Sequence, residues 1–199
     1  MSDRPPVAGI ILAAGAALRM GEPKQLLLYR DKPLVQAVVD VAEASRLDEI
    51  VVVTGAYGDR VEAALRRGRA TTVRNPDPTG GNMSSLEIGV GAAPDADAVV
   101  VLVGDQPGVD PEVVNGLINL WHGKRPWAAV TQYDDRVAYP FLLSDQALRE
   151  AIEIGGPKLL WKLLAQDESP RVVRFRVATP APLDVNTPED FDRLTRRRP

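Results

Sequence analysis

Ala98-Val99-Val100-Val101-Leu102-Val103 is an apolar run with no polar interruption, and it constrains the fold more than any other stretch of the chain. A strand with one wet face alternates polar and apolar side chains. A run like this is covered on both faces, as in a parallel sheet between helical layers. Runs of similar character at 7–13 and 50–54, and a shorter one at 71–74, alternate with helical patterns at 34–44, 61–67 and 84–92. That rhythm predicts βαβ units with right-handed crossovers. Beyond Asp105 it loosens. A helix is expected at 111–122, capped by Asp110 with Pro111 in its first turn. Strands at 128–132 and 137–142, joined across Tyr133-Asp134-Asp135-Arg136, predict a hairpin and hence an antiparallel addition. Helices at 145–154 and 158–164, a strand at 172–177 and a terminal helix from Pro188 follow. The expected architecture is a single Rossmann-like α/β domain over 1–199. It has three α/β/α layers, a flexible leader at 1–6 and a basic tail at 196–199.

Composition narrows the function classes. The formal net charge of −3 provides no basic field for nucleic acid. Cysteine is absent, which excludes disulfides and thiolate metal sites. The single histidine, His122, cannot build a zinc site alone and is expected to cap a helix end beside Gly123. No segment approaches the roughly 20 apolar residues of a membrane span. The first six residues carry an acid and two prolines where a signal peptide has its apolar core. A cytoplasmic protein with no membrane association is the expectation.

Four segments can carry chemistry. The stretch from Gly9 to Gln25 runs a buried strand into a turn of small residues, Leu12-Ala13-Ala14-Gly15-Ala16, followed by the cations Arg19 and Lys24. Small residues let a polyphosphate approach backbone amides, and the cations supply matching charge. Gly9, Gly15 and Gly21 are too widely spaced for the dinucleotide fingerprint, and no G-K-[ST] follows. The plainer alternative is a strand-to-helix connection with two solvated cations. Asp105, after Gly104 at the end of the 98–103 run, sits where α/β sheets bind ligands and is a hard ligand for Mg²⁺. Otherwise it caps a turn. Asn75, Gly80, Gly81, Ser84 and Ser85 lie before an expected helix start with free N–H donors for a nucleotide, or form an ordinary turn with its cap. In Asp184-Val185-Asn186-Thr187-Pro188-Glu189-Asp190, Asn186 or Thr187 caps the last helix, and Asn186 (or Asp184 in its place) is a candidate metal ligand.

Three of these segments, in this order, resemble the nucleotidyltransferases that make molybdenum cofactor dinucleotides. The family patterns are roughly L-A-[AG]-G-x-S-x-R-M-G…K and D-[IV]-[DN]-T-P-E-D. The resemblance covers nearly the whole chain and implies a nucleotidyltransferase fold. It also implies nucleotide contacts from 12–16, Arg19, Lys24, Asn75, Gly80, Gly81, Ser84 and Ser85. Catalysis would fall to Lys24, Arg19 and Asp105, with Mg²⁺ on Asp105 and Asn186. Ala14 gives Leu-Ala-Ala-Gly, similar to the cytidylyl-transferring members, and Pro23-Lys24-Gln25 also occurs in cytidylyltransferases of isoprenoid precursor synthesis. CTP is the expected donor and a molybdenum-bound pterin monophosphate the implied acceptor, with a molybdoenzyme or maturation factor as a possible partner. Departures exist. Ala17 replaces the usual serine, and Tyr139-Pro140-Phe141 and Gly155-Gly156-Pro157-Lys158 stand where relatives carry other acceptor motifs. Trp127 and Trp161 read as core or interface. A different phosphorylated acceptor, such as a sugar or polyol phosphate, stays open, as does a non-catalytic module that delivers a cofactor.

Overall fold

A computed structural model describes residues 4–15, 23–66, 68–154 and 171–196. In chain order the elements are β1 (Val7–Ala13), β2 (Leu28–Tyr29), β3 (Lys32–Pro33), α1 (Leu34–Ala44), β4 (Glu49–Thr54), α2 (Gly58–Ala64) and β5 (Thr71–Arg74). They continue with α3 (Gly81–Gly91), β6 (Ala98–Val103), α4 (Pro111–Lys124), β7 (Ala128–Gln132), β8 (Val137–Ser144), α5 (Asp145–Ile154), β9 (Val172–Arg176) and α6 (Pro188–Arg196). Seven strands form one sheet in the order β5-β4-β1-β6-β8-β7-β9, and β2 and β3 form a separate two-residue hairpin. The first four strands of that order are parallel, β8 runs antiparallel to both its neighbours, and β9 is parallel to β7.

The central strands are covered as their composition demands. One apolar cluster joins Ile11, Val52 and Val100 to Val35, Val39 and Leu117 on α1 and α4. The other joins Ile10, Val53 and Val101 to Leu86 on α3 and Leu148 on α5. Alternate side chains of one strand thus serve two cores, which is why β1 and β6 carry no polar side chain. Helix α3 packs tightly on the sheet at Gly89. A Cβ on Gly89 would lie 2.5 Å from Ile10 Cγ2 and 2.9 Å from Val53 Cγ2, so glycine alone permits this approach.

Several sequence expectations shift. Helix α2 begins at Gly58 rather than at 61, after a turn in which Gly58 N–H donates to Gly55 O at 2.9 Å. Helix α3 begins at Gly81, continuing a 3-10 turn at Pro78–Gly80 whose start is capped by Asp77. The helix thus starts three residues before the expected 84, with Ser84 closing its first turn and Ser85 opening the second. His122 is no cap, because α4 runs on to Lys124 and closes with Arg125 in the left-handed region. Its ring instead meets the Pro5 carbonyl, 3.1 Å from Nε2. Asp110 caps α4 as expected, accepting from Glu112 N–H. Arg196 is the last residue of α6, and the expected helix at 158–164 lies outside the described residues.

Candidate functional site

Strands β1 and β6 are parallel neighbours, so both end on the same sheet edge. Gly104 N–H extends their ladder by donating to Leu12 O at 2.9 Å. A Cβ on Gly104 would lie 3.1 Å from the Ala13 Cβ, so the small residues at the two strand ends allow this closeness. Asp105 emerges directly beyond. Across the loop, a 3-10 turn at Lys24–Leu26 is fixed by Gln25, which is buried and donates from Nε2 to the carbonyls of Ala13 at 3.1 Å and Gly15 at 2.8 Å. That clamp sets the position of Lys24. Its ammonium pairs with the Asp105 carboxylate and donates to Asn186 Oδ1 at 2.9 Å.

Asn186 is delivered by the segment before α6. Val185 N–H donates to Asp105 O at 3.0 Å, docking that segment on the end of β6. A reciprocal cap then fixes the helix start: Thr187 Oγ1 accepts from Asp190 N–H, while Asp190 Oδ2 accepts from the amides of Asn186 and Thr187. Of the two capping candidates, Thr187 takes the role and Asn186 keeps its amide for the site. Asp184 lines the same cavity with one carboxylate oxygen buried and unpartnered. Burial, and then the negative charge of Asp105, push its carboxyl up to about 6.

The cavity at this edge measures about 380 Å³ and is walled by Lys24, Asp105, Asp184 and Asn186 on one side and by Arg136 and Tyr139 on another. The Tyr139 phenol accepts a hydrogen bond from Asn82 at 3.5 Å, and burial lifts its ionisation to about 12, so it stays neutral. A second hollow of about 70 Å³ adjoins it, lined by Leu12, Ala14, Gly15, Gly81, Asn82 and Ser85. Ser85 is held there by buried Asn75, whose Nδ2 donates at 3.0 Å to the hydroxyl oxygens of both Ser85 and its neighbour Ser84. Asn75 thus acts beneath the hollow, positioning the serines. Gly80 is exposed and lines neither cavity.

The donor chemistry fits a hard divalent cation. Asp105 and Asn186 turn oxygens toward one point, the point at which the Lys24 ammonium now sits, and Asp184 adds an orphaned carboxylate oxygen nearby. Among the described residues no group of three or more acidic, histidine or cysteine side chains is clustered for a metal. Such an ion would need ligand oxygens as well as protein ones.

Of the sequence candidates, Leu12, Ala13, Ala14, Gly15, Lys24, Asp105 and Asn186 meet at this edge, and Gly81 and Ser85 border it. Ala16, Arg19, Lys158 and Trp161 lie outside the described residues. Trp127 is partly buried, with the Arg171 guanidinium 4.3 Å from its ring centroid. Sequence reasoning missed Gln25 as the clamp and Arg136 as a wall of the cavity. Proximity to Lys24 was a signal for the first; nothing local marked the second.

A Rossmann-like sheet with a small-residue loop after its first strand, a lysine reaching back and an acid at the end of the neighbouring strand defines a nucleotidyltransferase-type domain. The chain belongs to the MobA-like NTP transferase domain family, whose profile matches residues 9–172. It is 33% identical over 157 residues to nicotine blue oxidoreductase of Paenarthrobacter nicotinovorans, covering 76% of each chain. The crystal structure of Rv0371c from Mycobacterium tuberculosis H37Rv superposes with a TM-score of 0.86 at 31% identity, over 98% of this chain and 99% of that one. A structure of Rv0371c in complex with manganese matches at 0.81 and 32% identity, over 96% and 98%. A nucleotidyl transferase from Methanothermobacter matches at 0.76 and 25% identity, over 96% of both.

Proposed function

We propose that the chain transfers CMP from CTP to the phosphate of a molybdenum-bound pterin, with Mg²⁺ and release of pyrophosphate. The observation that carries this reading is the convergence of Lys24, Asp105 and Asn186 at the common end of β1 and β6. An oxygen of the acceptor phosphate dianion attacks the α-phosphorus. The new O–P bond forms as the bond to the pyrophosphate oxygen breaks, and no proton need move. Little covalent work falls to the protein, which positions and neutralises. Lys24 moves its charge from Asp105 to the α-phosphoryl oxygens, and Arg19 holds the outer phosphates. The amides of 14–17 cradle the chain between. Asp105 and Asn186 would hold Mg²⁺, which would supply positive charge to offset that of the phosphates. A manganese complex of a relative 32% identical supports a divalent ion in this family. Ala14, buried beside the small hollow, supports a pyrimidine: its methyl group narrows the space a purine requires.

The test is pyrophosphate release with each nucleoside triphosphate, with and without molybdenum-pterin, products being identified by mass spectrometry. A cytosine dinucleotide formed only with CTP and Mg²⁺ supports the reading. Release with a sugar or polyol phosphate would change the acceptor alone. Silence with every acceptor would favour a delivery module, or an oxidoreduction such as the name of the 33% identical relative describes.

A further inference from the structure

The far wall of the cavity carries a second cation. Arg136 closes the turn before β8, on the opposite side of β6 from β1. Among the described residues lining the cavity, Lys24 and Arg136 are the cations; Lys24 pairs with Asp105 and Asn186 and, in the transfer reading, serves the α-phosphoryl group. Arg136 is held, not loose. One Nη donates to Asp135 at 3.0 Å and the other to the Pro182 carbonyl at 2.8 Å. Both partners are themselves fixed: Asp135 accepts from Ala181 N–H at 2.7 Å, and the Pro182 carbonyl also accepts from buried Gln106 at 3.2 Å. The guanidinium is therefore pinned to the segment that continues into Asp184 and Asn186, with further N–H donors remaining. A planar, pre-oriented fork suits phosphate oxygens better than a flexible ammonium does.

The sheet order separates two anion positions. The end of β1 with Gly15 and the small hollow against α3 lie on one side of Asp105, and the turn bearing Arg136, with Ala138, lies on the other, from which Tyr139 reaches back to Asn82. In-line displacement needs the attacking and leaving groups on opposite sides of the α-phosphorus. A dianion brought up against Asp105 and Asp184 needs its own cation on its own side. From this placement we infer that Arg136 seats the phosphate monoester of the acceptor, on the β8 side of the cavity, across from the nucleotide. This assignment rests on the nucleotidyl-transfer reading and names the residue that selects a phosphorylated acceptor.

The probe is inorganic phosphate, titrated into the protein saturated with Mg²⁺ and the α,β-methylene analogue of CTP and followed by phosphorus NMR line width. The wild type should bind phosphate. Arg136→Met should weaken that binding at least tenfold and leave the affinity for the analogue within twofold. Arg136→Lys should recover part of the loss, and circular dichroism should show both variants folded. Phosphate that fails to bind the wild type, or binds Arg136→Met equally well, overturns the assignment. So does a parallel loss of phosphate and analogue, which would place Arg136 on the donor or make it a scaffold only. If the analogue does not bind while phosphate still depends on Arg136, cytidylyl transfer fails and the anion seat stands.

Discussion

Lys24 Nζ lies 2.9 Å from Asn186 Oδ1, although the two residues are 162 positions apart in the chain. The contact joins the loop after the first strand to the start of the last helix, with Asp105 as the third party.

Removing the cation should abolish turnover and spare the fold. Lys24→Ala is expected to lower kcat/KM by about three orders of magnitude, in the range seen when one charge-stabilising donor is lost. Its melting temperature should stay within a few degrees of wild type. Steady-state kinetics and thermal denaturation check both halves.

Metal affinity should follow charge count. Asn186→Asp adds a carboxylate where an amide oxygen now stands and should tighten Mn²⁺ binding several-fold. Asp105→Asn should weaken it at least tenfold. Titration followed by electron paramagnetic resonance reads each directly. Equal affinity in all three proteins would remove Asp105 and Asn186 from the metal assignment.

Base choice is expected to respond to Ala14. Ala14→Gly removes one methyl group beside the small hollow. The GTP-to-CTP ratio of kcat/KM should rise roughly tenfold, about 1.4 kcal/mol, as expected when a pocket gains a methylene's space. No change, measured with both triphosphates, would place base selection elsewhere.

Acid should loosen the packing of α1 through Asp40. Burial opposes ionisation of this carboxyl, but hydrogen bonds from Lys32 and Gln36, with the charges of Lys32 and Arg66, hold it below the usual carboxylate range. A folded value below the unfolded one means stability is fully present above about pH 4 and is lost as pH falls through the folded value. Asp40→Asn should therefore flatten the acid limb of the melting temperature plotted against pH, chiefly below about pH 4.

Local patterns made the central sheet legible. The span 7–13 and the helix 34–44 coincide with β1 and α1, because an unbroken apolar run and a 3.6-residue period are each written within a few positions. The hairpin of β7 and β8 was legible too, but not its place in the sheet. Antiparallel insertion of β8 between β6 and β7 depends on which strand edges are open, and no local window records that. At the site, Lys24 and Asp105 stood out because small residues precede each. Arg136 did not, since an arginine in a polar turn looks like any solvated cation until the 182–186 segment folds over it.

The position of β8 has a consequence for how such a domain can diverge. Every strand beyond β6 hangs from it, so the sheet divides there into two structurally distinct flanks. On the proposed reading the donor side is built around the end of β1, whereas the turn bearing Arg136 belongs to the other flank. If the proposed assignment holds, insertions or substitutions in the outer flank would re-tailor what is modified without disturbing what is cleaved, so new acceptors could be acquired while the triphosphate cradle stays as it is.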